Sequence, residues 1–390
     1  MKKLLPVSTA AAFICAAAFL SACSSGGLHG SSAVLPNVGA MPDAGGAEFL
    51  YVGNYGDNTI SAWKVSSSGA LVAVKGSPFA SGQGPTAFAV DPTGLYAYSA
   101  NNTTNDVSGY SINATSGALT AISGSPFAAG SGPSGIAVDP TGKFAYVSNY
   151  TDSDLSAYTV DASSGALTAV KGSPFATGTE PEYVAIDPKA KLLYVPNYSS
   201  SNISGFSIES SGAVKALKGS PFKSGGGDTD GATVTPTGTF LLTPNYGSNT
   251  ISVFTLAKSG AIAPVKGSPF ATGYEPTNAV VSPNGKFVFV SNYGDSDISV
   301  FSLNAKTGAL AQVKGSPFTA GTNPEYVVID PAGKFVYAPN VGSNNVSAWS
   351  VESSGALKTV KGSPFASGTE PAGIAICRVS SGKCIPPALR

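Results

Sequence analysis

Histidine is almost missing from this chain of 390 residues, and the one copy, His29, lies ahead of any patterned sequence. A patterned region without imidazole has no Ser-His or Cys-His nucleophile pair and no zinc site with histidine ligands. Charge is scarce too: 11% of residues are charged, with 22 Lys plus Arg against 22 Asp plus Glu. That balance provides no basic field for nucleic acid. Arginine is limited to Arg378 and Arg390. No run of useful length carries helical periodicity, which argues against a helical framework. What the chain has in quantity is glycine (47) and proline (28), the residues of turns.

The first residues read as an export segment. Lys2 and Lys3 precede an apolar, alanine-rich run over residues 4–20, which ends at Leu20-Ser21-Ala22-Cys23. The run is short and closes on small residues, which points to cleavage rather than to a membrane span. LSAC resembles the lipobox of bacterial lipoproteins, and Ser24 after it resembles the outer-membrane sorting pattern. The resemblance implies a lipid on Cys23, removal of residues 1–22, and a chain held at the cell envelope by its lipid anchor alone. Residues 23–47, rich in Gly, Ser, Ala and Pro, are expected to form a flexible tether. Removing the leader takes away two lysines and no acid, so the remainder is slightly acidic. Cys377 and Cys384 remain, seven apart in an exported chain, where a disulfide is favoured over two free thiols.

The sequence GSPF recurs seven times, starting at Gly76, Gly124, Gly172, Gly219, Gly267, Gly315 and Gly362, always 47 or 48 residues apart. Such a period means one supersecondary unit copied along the chain. In the copy over residues 180–222, four short β-type runs fall near residues 183–187, 192–197, 203–208 and 213–217, divided by Pro, Gly, Asn and Ser clusters. Four antiparallel strands in under 50 residues make one propeller blade. The chain enters the repeat at a second strand, Phe49-Leu50-Tyr51-Val52, and ends on a first-strand pattern, Gly373-Ile374-Ala375-Ile376-Cys377-Arg378. The expected fold is therefore all-β, a seven-bladed propeller over residues 48–379, closed by one C-terminal strand joining three N-terminal strands, with residues 380–390 as a tail. Closure removes open sheet edges.

Tyr146-Val-Ser-Asn149, Tyr194-Val-Pro-Asn197 and Phe289-Val-Ser-Asn292, each followed within ten residues by an I-S or L-S pair, resemble the YVTN repeat. The pattern is similar to the lactonase-like seven-bladed propellers, including the 6-phosphogluconolactonases. That resemblance implies lactone hydrolysis with His, Arg and Glu side chains in the channel face. This sequence departs from it, having no His in its repeats and only Arg378 within them.

Residue types present in every copy serve the blade. The asparagines 54, 101, 149, 197, 245, 292 and 340 and the serines 61, 108, 156, 204, 252, 299 and 347 fall in this class, read as turn formers, as does GSPF, read as a stop and an aromatic plug between blades. Variation appears in the loops that return to the inner strand. Gly84, Gly132, Glu180, Asp228, Glu275, Asn323 and Glu370 occupy one position, and Thr86, Ser134, Glu182, Asp230, Thr277, Glu325 and Ala372 the position two residues on. The carboxylates Glu180, Glu182, Asp228, Asp230, Glu275, Glu325 and Glu370 are thus expected to converge on the channel mouth. Such a ring suits Ca²⁺ or a cationic ligand group, although no cofactor is required. The sequence favours a non-catalytic propeller binding a protein, glycan or small ligand on its loop face. The alternative is a lactonase-like hydrolase that uses the acidic, metal-assisted mouth.

Overall fold

The computed structural model describes residues 46–189 and 191–386; the expected leader, the expected lipid site at Cys23 and most of the expected tether lie outside them. Seven antiparallel sheets follow one another around a closed ring. In blade 3 the inner strand is Pro133–Val138, the second Phe144–Asn149, the third Asp154–Val160 and the outer Leu167–Ala169. Neighbouring blades cover both faces of each sheet. The inner strand is therefore buried along its whole length, while the outer strand keeps one buried residue in three.

Blade 1 is composite, as the two chain ends imply. Pro371–Ser380 supplies its inner strand and pairs with Glu48–Asn54, which leads outward to Thr59–Val65 and Leu71–Ala73. The region after residue 379, expected as a tail outside the propeller, is part of the sheet through Lys383–Ile385, which returns along Pro371–Ser380. A disulfide joins Cys377 to Cys384 with their Cα atoms 5.3 Å apart, and the Cys384 N–H donates to the Gly94 carbonyl in blade 2. Arg378 is consumed at this seam, where its guanidinium is 2.5 Å from the Glu48 carboxylate and 3.8 Å from Asp330.

GSPF works inside its own blade. Phe127-Ala128 pairs with the start of the third strand, and the Phe127 ring rests on Gly109 of that strand. Between this pair and the outer strand, the third strand has a gap that the motif's serine fills: Ser125 Oγ accepts the Gly109 N–H at 2.9 Å. The same bond recurs in all seven copies at 2.8–2.9 Å. As expected, the GSPF phenylalanine also packs against the core between blades, Phe127 between blades 2 and 3 for example, and the second strand adds tyrosines to these interfaces. Hydroxyls of Tyr51, Tyr98, Tyr146, Tyr194 and Tyr337 donate to carbonyls of Gly117, Gly165, Gly212, Gly260 and Gly69 in the following blade, at 2.7–3.0 Å. Those glycines take positive φ, and a Cβ on Gly117 would lie 2.3 Å from the Phe49 ring.

Candidate functional site

The loops that carry the variable acids are fixed by the invariant Asn and Ser. Each Asn amide donates across its hairpin to the third-strand Ser hydroxyl at 2.8–3.0 Å. The expected turn role of the asparagine belongs instead to residues four further on, such as Asn58 and Asn105, which adopt positive φ. The incoming loop crosses directly over the Asn side chain. A Cβ on Gly82, Gly226 or Gly273 would come within 2.4–2.6 Å of it, so only glycine passes.

The seven expected acids separate into two tiers. Glu180, Asp228, Glu275 and Glu370 form the outer tier, half-buried, with φ between 49° and 57°. Gly84, Gly132 and Asn323 hold the same left-handed conformation in the remaining blades, which explains the glycines at this position. Glu182, Asp230 and Glu325 form the inner tier and are 0%, 0% and 1% exposed. Backbone bonds from the preceding blade hold two of them in place. The Ser134 and Ser148 hydroxyls donate to the Glu182 carbonyl, and those of Thr277 and Ser291 to the Glu325 carbonyl.

A second sequence feature accompanies the inner acids and was missed in reading the repeats. In blades 4, 5 and 7, which carry Glu182, Asp230 and Glu325, the second strand ends in Pro196-Asn197, Pro244-Asn245 and Pro339-Asn340. Elsewhere Gly53, Ala100, Ser148 or Ser291 precedes the asparagine. Proline has no N–H to give, so the ladder to the inner strand breaks there. The inner strands of these blades shrink to Ala185–Ile186, Thr233–Val234 and Val328–Ile329, against six residues in blades 2, 3 and 6. Each acid's own N–H turns to the proline carbonyl at 3.0–3.2 Å. The strand expected near residues 183–187 is for this reason confined to Ala185–Ile186.

The inner acids are electrostatic neighbours of one another. Glu182 is pushed well above the usual carboxylate range by burial first, and then by the charges of Asp230, Glu325 and Glu180. Neither oxygen of its carboxylate has a hydrogen-bond partner among the described residues. Tyr150, Tyr198 and Tyr246 each have acids of both tiers as electrostatic neighbours: Glu182 and Glu180, Asp230 and Asp228, Glu325 and Glu275. Burial and those charges drive all three phenols upward, so they remain protonated donors. The Tyr198 and Tyr246 rings lie 5.8 Å apart.

Tyr183 and Tyr326, the residues after Glu182 and Glu325, lie beside this tier. They belong to blades 4 and 7, which are not neighbours, yet their ring centroids are 5.7 Å apart. The contact therefore spans the axis and joins the apolar layers of two separate blade interfaces into one core. Glycine occupies the equivalent position in blades 3, 5 and 1, at Gly135, Gly231 and Gly373. A Cβ on Gly373 would lie 2.4 Å from the Ala87 backbone, so glycine lets the inner strands close around the rings.

Among the described residues no three Asp, Glu, His or Cys side chains are grouped closely enough to hold a metal ion. The sequence matches the family described as "Lactonase, 7-bladed beta-propeller" over residues 43–128, 121–226, 171–278 and 264–372. The chain belongs to this lactonase propeller family. The lactonase propeller has the same fold as a provisional 6-phosphogluconolactonase from Bacteroides uniformis, with a TM-score of 0.75 and 18% identity over 85% of this chain and 99% of that one. It is similar to a second such protein from Bacteroides fragilis, with a TM-score of 0.74 and 19% identity over 86% and 99% of the two chains. The periplasmic gluconolactonase PpgL of Pseudomonas aeruginosa aligns with a TM-score of 0.73 and 18% identity over 87% and 100%. No curated protein matches the sequence. Family membership moves the balance from the non-catalytic reading toward the lactonase-like one.

Proposed function

We propose that this propeller is a lactone-ring hydrolase acting on substrates without phosphate or carboxylate, held at the cell envelope through a lipid on Cys23. The observation that carries the reading is Glu182: a buried carboxylate with raised proton affinity and the protonated Tyr150 and Tyr198 as electrostatic neighbours, in a lactonase-family fold. A carboxylate so raised is a general base nearer neutral pH than an ordinary glutamate. Glu182 takes a proton from water as the water oxygen bonds to the lactone carbonyl carbon. Tyr150 and Tyr198 donate to the carbonyl oxygen as it gains negative charge. The ring C–O bond then breaks, and the departing oxygen recovers the proton from Glu182. Admission to this site requires the tyrosines to part, because Glu182 is shut off from solvent. A phosphorylated sugar lactone is disfavoured by the acids of both tiers.

A panel of neutral, cationic and acidic lactones, assayed with and without Ca²⁺ and with chelator, tests this. Turnover of neutral or cationic lactones, lost in Glu182→Gln, is the expected result. Turnover of none returns the chain to ligand binding without chemistry, and turnover confined to Ca²⁺ makes the acids a metal site.

A further inference from the structure

We propose that the two-tier mouth of the channel binds an aliphatic diamine, with one ammonium among the inner acids and the other at the outer tier. Glu182 carries the argument. Its two oxygens are buried and without hydrogen-bond partners, and every charged group that acts on it is another acid. Among the described residues no cation acts on Glu182, and Arg378 is held by Glu48 at the seam of blade 1. A buried carboxylate in this condition needs hydrogen-bond donors as well as positive charge, and a primary ammonium brings both.

The remaining geometry selects among cations. The acids form no metal-binding group among the described residues, which favours an extended cation over a point charge. Glu180 and Glu182, like Asp228 and Asp230, are two residues apart, so the tiers are separated along the backbone by at most about 7 Å. A four-carbon chain between two ammonium groups spans that length. Tyr150, Tyr198 and Tyr246 are each electrostatic neighbours of acids of both tiers, and their rings would pack against the methylenes and flank a cation.

Binding is read apart from turnover, by titration calorimetry of the full chain with 1,4-diaminobutane, butylamine, tetramethylammonium and CaCl₂ at pH 7.5. The diamine should bind at least tenfold more tightly than butylamine, and tetramethylammonium, which has no N–H, more weakly still. Glu182→Gln should weaken the diamine at least tenfold; should that variant fold poorly, Asp230→Asn carries the same expectation. Glu180→Gln combined with Glu275→Gln should reduce diamine affinity to that of butylamine while leaving butylamine unchanged. The proposal is overturned if no amine gives heat, if the diamine binds no better than tetramethylammonium, or if Ca²⁺ alone occupies the site. Amine binding with a silent lactone panel would remove the hydrolase reading and leave this one standing, and the reverse outcome would do the opposite.

Discussion

The two ends of the inner strands carry carboxylates in opposite circumstances. At the turn end, Asp139 accepts the Lys143 and Phe144 N–H groups at 2.8 Å through one oxygen and bonds Thr141 through the other. Asp91 and Asp330 are bound in the same way, and in blades 5 and 6 the Thr235 and Ser282 hydroxyls take over. Burial raises the proton affinity of Asp91, but bonds from Thr93, Tyr96 and Leu95 pull it back. At the mouth end nothing opposes the burial of Glu182, and neighbouring acids add to it. One end uses a carboxylate to finish a turn. The other keeps a carboxylate in a state that only a ligand or a proton relieves.

Three substitutions press on that contrast. The largest effect is expected from Asp139→Ala, which strips a buried turn of its acceptor and should cost about 2–3 kcal/mol in denaturant unfolding. Glu182→Gln should act in the other direction. A group whose folded proton affinity is raised stabilises the fold below its unfolded pKa and loses that contribution as pH rises through the folded value. The parent should therefore melt lower at pH 8 than at pH 5, with Glu48, raised to about 7 by burial and by Asp330, adding to the loss between those limits. At pH 8 the variant should melt about 2–4 °C above the parent, and at pH 5 the two should converge. The smallest effect belongs to Glu182→Ser with Pro196→Ser, which gives blade 4 the residues of blade 3. Global stability should change by less than about 1 kcal/mol, while amide exchange at residues 183–185 slows as the ladder re-forms. Unchanged exchange would show that proline is not what opens these blades.

The ring was legible because seven near-copies repeat every joint, so a residue that never varies declares itself structural. Blade number, the composite first blade and the loops that carry Glu180, Glu182, Asp228 and Asp230 all followed from counting along GSPF. Depth did not follow, because residues two apart in sequence differ only by a left-handed backbone position and a break in pairing. The break was written in Pro196, Pro244 and Pro339, where comparison among copies of this chain could have found it. The Tyr183–Tyr326 contact was less accessible: it unites copies that are not adjacent, and sequence period speaks only of neighbours. Nor does GSPF announce that its serine fills a gap in the third strand, since that gap exists only once the strand is paired on both sides of it.

Blade 1 receives its inner strand from Pro371–Ser380, the last long strand of the chain. A nascent chain can assemble blades 2 through 7 in order, but Glu48–Asn54 must wait with one edge unpaired until more than three hundred further residues have been made. The quality of the finished ring is thus decided late and in one place. A premature stop that removes only the final twentieth of the chain would leave six blades intact in sequence and an open edge in the seventh, a species suited to pairing with its own kind rather than to standing alone.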